Sequence, residues 1–410
     1  MAEELIVALD PGSAWVTVLV ASLEPEKGLS LLAAVREPSA GLRHGAVVNI
    51  EQTAHAISVA LDHAEQISGR EIARAYVGAA GRHLESRNTH GAVSIAPGGR
   101  EIAGLDVEHA IEAAREQEAL GENRKLLHQL PRGYVVDEQD GVLNPIGMAG
   151  YHLEAETHLI TGSLTMLQNL AKCVELAQLE LNELVCAPLA AAAAVLTPAE
   201  REMGVLVLDI GSGTTGIALY ANGFPWHTAE LPVGGADITH ALVVGLLLPP
   251  DVAEHLKVTA GRCDAADIAD DELIELNDES LVLPRGELTG IITASATDLL
   301  AQVRAPLRAA QRAGVTPMGI VLTGGGAELE GIAELAQRAL GLPARVGAPY
   351  GLRAGADGAS GPAFATAAGL LIWGARRATQ GQSARGWRER AVHLVDVRQR
   401  LGRFARAFLP

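Results

Sequence analysis

The sequence predicts an α/β protein of two related lobes, each built on a mixed sheet, with an inserted α+β subdomain and a C-terminal amphipathic helix. Three observations carry that prediction. An apolar strand ending in an acid and a turn of small residues occurs twice, at 6–13 and at 204–215. Strand-like and helix-like segments alternate through most of the 410 residues, the pattern of sheets covered by helices. From Arg376 to Pro410 there are nine arginines against two acids (Glu389, Asp396). That is a local +7 in a chain of net charge −17, which leaves −24 on the rest.

The elements follow in order. A continuous apolar strand, 5–9, runs into Asp10-Pro11-Gly12-Ser13, and strands at 16–23 and 29–35 follow around a turn at 25–28. A helix over 51–67 and a buried strand over 74–80 complete a mixed sheet with helical cover. The block 83–161 differs. Residues 84–95 alternate, 106–119 form a charged amphipathic helix, and 135–136 and 151–161 read as strands, as in a small inserted domain. A helix over 165–179, a strand over 184–186 and an Ala-rich helix after Pro188 return the chain to the first lobe.

At Gly204 the opening pattern recurs, with a buried strand ending in Asp209, the turn Gly211-Ser212-Gly213-Thr214-Thr215 and a returning strand over 217–220. Two such units about 200 residues apart mark a duplicated fold. Helices at 236–247 and 250–259, an acidic stretch at 264–278 and a long helix at 287–313 follow. A third strand, 319–322, meets Thr323-Gly324-Gly325-Gly326 and then a helix over 327–340, and the last compact element is 363–376. The expected division is 1–82 and 162–203 for the first lobe, 83–161 for the insert and 204–375 for the second lobe. A linker over 376–391 and a terminal helix over 392–410 complete it.

Composition narrows the function classes. An acidic chain with pI ≈ 5.2 is ill suited to charge-driven nucleic-acid binding, so none is expected. Mean hydropathy is slightly positive, yet no run of about 18 uncharged apolar residues exists, and the nearest, 184–196, contains Pro188. Cys173, Cys186 and Cys263 form no CxxC pair, which argues against zinc or a disulfide framework. The N-terminus, MAEELIVALD, has no basic region or cleavage site, so the chain is expected to stay in the cytoplasm.

Turns of small residues expose backbone N–H groups that can wrap a phosphate. An acid at each strand end, Asp10 and Asp209, can hold Mg²⁺ through water beside it. A strand–GGG–helix unit can bring bare backbone and a helix N-terminus to a nucleoside. Three such turns, two of them internally repeated, form a specific constellation, the alternative being three structural turns. Neither GxxxxGK[ST] nor a GxGxxG after the first strand is present.

On these residues the chain resembles the actin/Hsp70/sugar-kinase superfamily and, within it, the bacterial cell-division FtsA family. ALDPGS (8–13) and LDIGSGTTGIAL (208–219) are similar to the two phosphate motifs, and VLTGGGAELEGI (321–332) to the adenosine motif. GLRHGAVVNIE (41–51), NPIGMAG (144–150), HLITGS (158–163), PVGGADIT (232–239) and EHLKVTAGRC (254–263) favour FtsA among its cousins. The resemblance implies an ATP and Mg²⁺ site using Asp10, Gly12, Ser13, Asp209, Gly211, Ser212, Gly213, Thr214 and Thr215 around the phosphates. It adds Gly234, Gly235, Glu254, Lys257, Gly324, Gly325, Gly326 and Glu328 on the nucleoside side. Glu254 and Lys257 also read as an i,i+3 surface ion pair.

Three departures bear on mechanism. Where relatives that hydrolyse ATP place a water-positioning Glu or Gln, this chain has Ala187. A polar residue often follows the two threonines, and here it is Gly216. Trp15 replaces a lysine common near the phosphates. Slow or absent hydrolysis is therefore expected.

With Leu394 at 0° and about 100° per residue, Val397, Leu401, Phe404 and Phe408 fall within an arc of about 80°. Arg398, Arg400, Arg403 and Arg406 flank or oppose it. That pattern describes an interfacial helix whose cations meet anionic head groups at about 1 kcal/mol each. Its alternatives are docking on the body or on a partner protein. FtsA relatives end similarly, which implies filament formation and anchoring of FtsZ, through its acidic C-terminal peptide, to anionic lipids of the inner membrane. It further implies recruitment of later division proteins at the division site. Where many relatives carry an arginine for that peptide stands Ser295, with Arg285, Arg304 and Arg308 nearby. The alternatives are a type IV pilus scaffold or a small-molecule kinase of the same superfamily.

Overall fold

The computed structural model describes residues 4–24, 28–95, 99–118, 120–264, 272–275, 282–353 and 359–379. The terminal helix expected over 392–410, the linker from 380 onward and most of the acidic 264–278 stretch lie outside the described residues.

The first lobe holds a five-stranded sheet. Its strand order is Glu180–Cys186, Arg74–Ala79, Glu4–Pro11, Trp15–Glu24, Gly28–Pro38. The second lobe repeats it as Ala344–Val346, Ile320–Thr323, Val205–Ile210, Thr215–Ala221, Phe224–Leu231. In each, the first strand pairs antiparallel with the second and the second with the third, while the other face of the ladder is parallel. The duplication read from two turns thus extends to whole sheets.

Alternation decides which face of each sheet meets which neighbour. On Glu4–Pro11, Val7 and Leu9 pack under helices Ile50–Ser68 and Leu164–Leu176. Ile6 and Ala8 face inward onto helix Ala187–Val195 and the helix 365–379. Val205, Val207, Ala218 and Tyr220 of the second lobe join that same inner cluster. All nine residues of Ala187–Val195 are buried. It crosses the 365–379 helix so closely that a Cβ on Gly369 would stand 1.7 Å from the Ala190 carbonyl oxygen.

The insert is a four-stranded antiparallel sheet, Gln139–Val142, Arg124–Val136, His152–Ser163, Glu85–Ser94, under helix Gly104–Glu116. Ile102, Val107, Ala110, Val136, Leu153 and Ala155 give it a core of its own. Arg124–Val136 is far longer than the expected 135–136. It carries Pro131 and Gly133, residues that argue against a strand, and the ladder absorbs them by shifting register between Glu156 and Thr157.

Two further differences concern the second lobe. The expected helix over 327–340 is a 3₁₀ turn, Gly325–Glu328, followed by the helix Ile332–Leu340, because Gly331 takes φ 78° and breaks the run. The GGG turn therefore meets no α-helix N-terminus directly. At the end of the body, helix continues through 376–379, and Arg377 pairs with Glu183 at 2.8 Å rather than opening a linker. No single described helix is long and apolar enough to cross a membrane. The bent pair Gly235–Leu246 and Pro250–Ala260 places Ile238, Leu242, Ala253 and Leu256 in the second-lobe core.

Candidate nucleotide cleft

Asp10 and Asp209 lie near the C-terminal end of the first strand of each lobe, close enough for the charge of one to act on the other. Each lies against a glycine of the neighbouring parallel strand or its end. A Cβ on Gly78 would stand 3.1 Å from Asp10 Oδ1, and one on Gly324 would stand 2.4 Å from Asp209 Oδ1. Gly324 also takes φ 80°, so both conformation and space favour glycine there. The Thr366 hydroxyl donates to Asp209 Oδ2 at 2.7 Å. Burial, then the charge of Asp209, pushes the Asp10 carboxyl up to about 7, against the pull of Arg36. Burial also raises Asp209, against its bond from Thr366.

The two turns expected to meet phosphate are built alike. Gly12 N–H closes its turn onto Trp15 O at 2.9 Å, and Gly211 N–H closes onto Thr214 O at 2.9 Å. The N–H groups of Ser13, Ala14, Ser212 and Gly213 donate no hydrogen bond among the described residues, which leaves them available to an anion. The two turns meet. Gly213 O bonds His44 Nδ1 at 2.7 Å, and Ser13 Oγ accepts from Gly45 N–H at 3.4 Å. His44 and Gly45 belong to the 41–51 stretch, whose place at the cleft nothing in its composition announced.

Where the nucleoside is expected, Gly234 and Gly235 hold helix Gly235–Leu246 against the second turn. Gly235 N–H bonds Gly211 O at 2.9 Å, Ala236 N–H bonds Ser212 O at 2.8 Å, and a Cβ on Gly234 would stand 2.5 Å from Gly211 O. Thr215 Oγ1 donates to Val233 O at 2.8 Å. Lys257 Nζ donates to Glu254 Oε2 at 2.6 Å, Thr239 Oγ1 at 2.8 Å and Gly235 O at 3.0 Å. Thr239 also bonds Glu254. Lys257 is thus tied into the base of that helix rather than free on a surface. Cys263 N–H bonds Glu330 O at 2.7 Å, which brings the end of this segment beside the turn that carries Gly325, Gly326 and Glu328.

Sequence reasoning passed over two residues that register places in the cleft. Asp10 pairs with Thr17, which pairs with Arg36; Asp209 pairs with Gly216, which pairs with Glu230. Partners directly across a ladder share a face, so each of the two acids heads a row of three ending in a charge. The Arg36 guanidinium lies 4.9 Å from the Trp15 ring and 5.5 Å from the Phe364 ring, a stacked cation where a turn lysine is missing. Glu230 is buried, with the Thr214 hydroxyl and the Gly81 backbone N–H close enough to favour its charged form, yet its Oε2 has no hydrogen-bond partner among the described residues. Such an orphan costs about 1–3 kcal/mol. Burial, then Asp209, pushes this carboxyl up to about 8.

The membrane-side residues Leu394, Val397, Leu401, Phe404, Phe408, Arg400, Arg403 and Arg406 lie outside the described residues.

Two lobes of one topology, joined through crossing helices and facing each other with paired acids, define an actin-like protein. Its fold is shared with a chain of a PilM–PilN type IV pilus biogenesis complex (TM-score 0.65, 19% identity, 90% of this chain and 98% of that one). It is shared also with MreB5 of Spiroplasma citri (TM-score 0.52, 15% identity, 93% and 99%). The family model described as cell division protein FtsA matches residues 206–369, and that of the SHS2 domain inserted in FtsA matches 81–161. Cell division protein FtsA of Pseudomonas aeruginosa is 37% identical over 93% of this chain and 91% of its own length. That of Escherichia coli K12 is 34% identical over 93% and 92%. The chain belongs to the cell division protein FtsA family, and its role is in cell division.

Proposed function

We propose that this protein binds ATP with Mg²⁺, polymerises, and fastens the FtsZ ring to the cytoplasmic face of the inner membrane, helping to recruit later division proteins. The observation that carries the nucleotide reading is the pairing of Asp10 with Asp209 beside two turns of open N–H groups. Their mutual repulsion would be relieved by a divalent cation, and hard carboxylate oxygens suit Mg²⁺. Ser13, Ser212, Gly213 and Thr214 would hold the phosphates, and Glu254, Lys257 and Gly324–Gly326 the nucleoside. Bound Mg²⁺ would neutralise phosphate charge. Structures of Spiroplasma citri MreB5 bound to ADP and to AMPPNP, and of a MamK double helical filament, support a nucleotide-binding, filament-forming reading of the shared fold.

With Ala187 at the start of its buried helix and Gly216 without a side chain, hydrolysis is slow. The arginine-flanked apolar arc of the terminal segment supports attachment on the membrane surface rather than across it. For the acidic FtsZ peptide, Arg285 is engaged with Glu272 at 2.6 Å and Arg304 with Ala339 O at 3.0 Å. Arg308 is exposed on the helix Arg285–Arg312 and has no hydrogen-bond or ion-pair partner among the described residues, so it is the best-placed cation. The pilus-scaffold alternative rests on a fold likeness at 19% identity, against family relatives at 34–37%.

Fluorescent ATP titrated with and without Mg²⁺ tests the nucleotide reading. Binding that strengthens with Mg²⁺ and weakens about tenfold or more in Asp209→Ala supports it; no binding by the natural sequence rejects it. An FtsZ C-terminal peptide titrated against Arg308→Ala tests the partner.

A further inference from the structure

We propose that Glu230 orients the attacking water at the terminal phosphate of a bound nucleoside triphosphate, supplying from the third strand what residues 187 and 216 lack. This rests on the nucleotide reading above.

The two side chains that would ordinarily do this work are a methyl group at Ala187 and a hydrogen at Gly216. Glu230 stands beside both. It is the ladder partner of Gly216, and a Cβ built on Gly216 would stand 2.7 Å from Pro188 Cγ and 3.5 Å from Glu230 Oε1. The carboxylate therefore fills the space over Gly216, next to the first turn of the helix that begins at Ala187. The Thr214 hydroxyl of the second turn and the Gly81 backbone N–H of the first lobe both stand close enough to favour its charged form.

Glu230 thus lies between groups of both lobes, with its Oε2 buried and unpartnered among the described residues. A purely structural residue at this buried strand end would be better served by an apolar side chain, because an unpaired buried carboxyl oxygen destabilises the fold. An oxygen kept in reserve beside a phosphate turn has a use if a water bonds to it. In the step, the water oxygen forms a bond to the γ-phosphorus while that phosphorus loses its bond to the bridging oxygen. The released electron pair leaves with ADP, and the ionised form of Glu230, the minority below pH 8, accepts the water proton before passing it to the departing phosphate.

The full chain and the variants Glu230→Gln and Glu230→Ala carry the test. Gln keeps the shape should Ala fail to fold, and a thermal melt checks both. Two readouts are compared: single-turnover hydrolysis of ATP, and retention of fluorescent ADP with aluminium fluoride against beryllium fluoride. The first fluoride complex needs an ordered water, whereas the second mimics the bound triphosphate. Expected are ATP and beryllium-fluoride affinities within about threefold of the natural sequence, with at least about tenfold loss of both turnover and aluminium-fluoride trapping. Variants that keep turnover and trapping overturn the proposal. So does a natural protein that binds ATP yet shows neither. Failure of the natural protein to bind ATP at all rejects the nucleotide reading itself.

Discussion

Arg36 and Glu230 occupy equivalent positions in the two lobes and carry opposite charge, each across two strands from a cleft aspartate. Stacked between Trp15 and Phe364, Arg36 loses little freedom on meeting a phosphate. Arg36→Ala should weaken ATP binding about five- to tenfold while leaving adenosine binding nearly unchanged, as isothermal titration would read. Glu230 gives a pH prediction with a definite sign. Its proton affinity in the fold, about 8, exceeds the ordinary 4.5, because burial and the facing Asp209 and Asp10 oppose its charge. The protein holds that proton more tightly than the unfolded chain, so the contribution is fully present below pH 4.5 and is lost as pH rises through 8. Glu230→Gln has no such loss. Its melting temperature relative to the natural sequence should therefore rise between pH 5 and pH 8, and a constant difference would contradict the burial argument. Asp10 and Asp209 were legible from sequence because they end strands at recognisable turns. Arg36 and Glu230 were not, since their placement depends on hairpin register, which turn composition alone does not fix.

The elements that set the cleft are joined by backbone contact more than by side chains. The crossing of Ala187–Val195 with the 365–379 helix leaves no room at Gly369, where a methyl would enter the Ala190 carbonyl. Gly369→Ala should destabilise the protein by about 1–3 kcal/mol or more and lower its melting temperature accordingly; an unchanged melt would mean that this crossing is looser. The second strand pair of the insert reaches the other lobe. Ser86 Oγ donates to Thr228 O at 2.7 Å and Asn88 Nδ2 to Trp226 O at 2.9 Å, while the His158 ring, 3.0 Å from Thr228 Oγ1, completes the seam. The strand so gripped, Phe224–Leu231, is the one that presents Glu230. Periodicity located most helices to within a few residues. It failed at Arg124–Val136, where Pro131 and Gly133 hid a long bulged strand, and after Gly326, where Gly331 interrupts an apolar pattern that otherwise reads as one helix. In the first case tertiary pairing overrode the local signal; in the second, one glycine outweighed the apolar period.

At the scale of the whole molecule, charge is divided between a body of −24 and a terminal stretch of +7 from Arg376 onward, of which Arg376 and Arg377 belong to the closing helix. That division suits the proposed arrangement, a nucleotide-binding body attached to anionic lipid by the terminal stretch. Removing 392–410 should abolish co-sedimentation with anionic liposomes while leaving ATP affinity unchanged, and increasing salt should weaken the intact chain's attachment. The central claim joins nucleotide, assembly and membrane, and one measurement addresses all three: electron microscopy of the full chain on an anionic lipid monolayer with Mg²⁺ and ATP. Ordered filaments lying on the monolayer, lost when ATP is omitted, in Asp209→Ala and in the chain without 392–410, are the predicted result. A surface without filaments in the presence of ATP, or filaments indifferent to both nucleotide and tail, would contradict it.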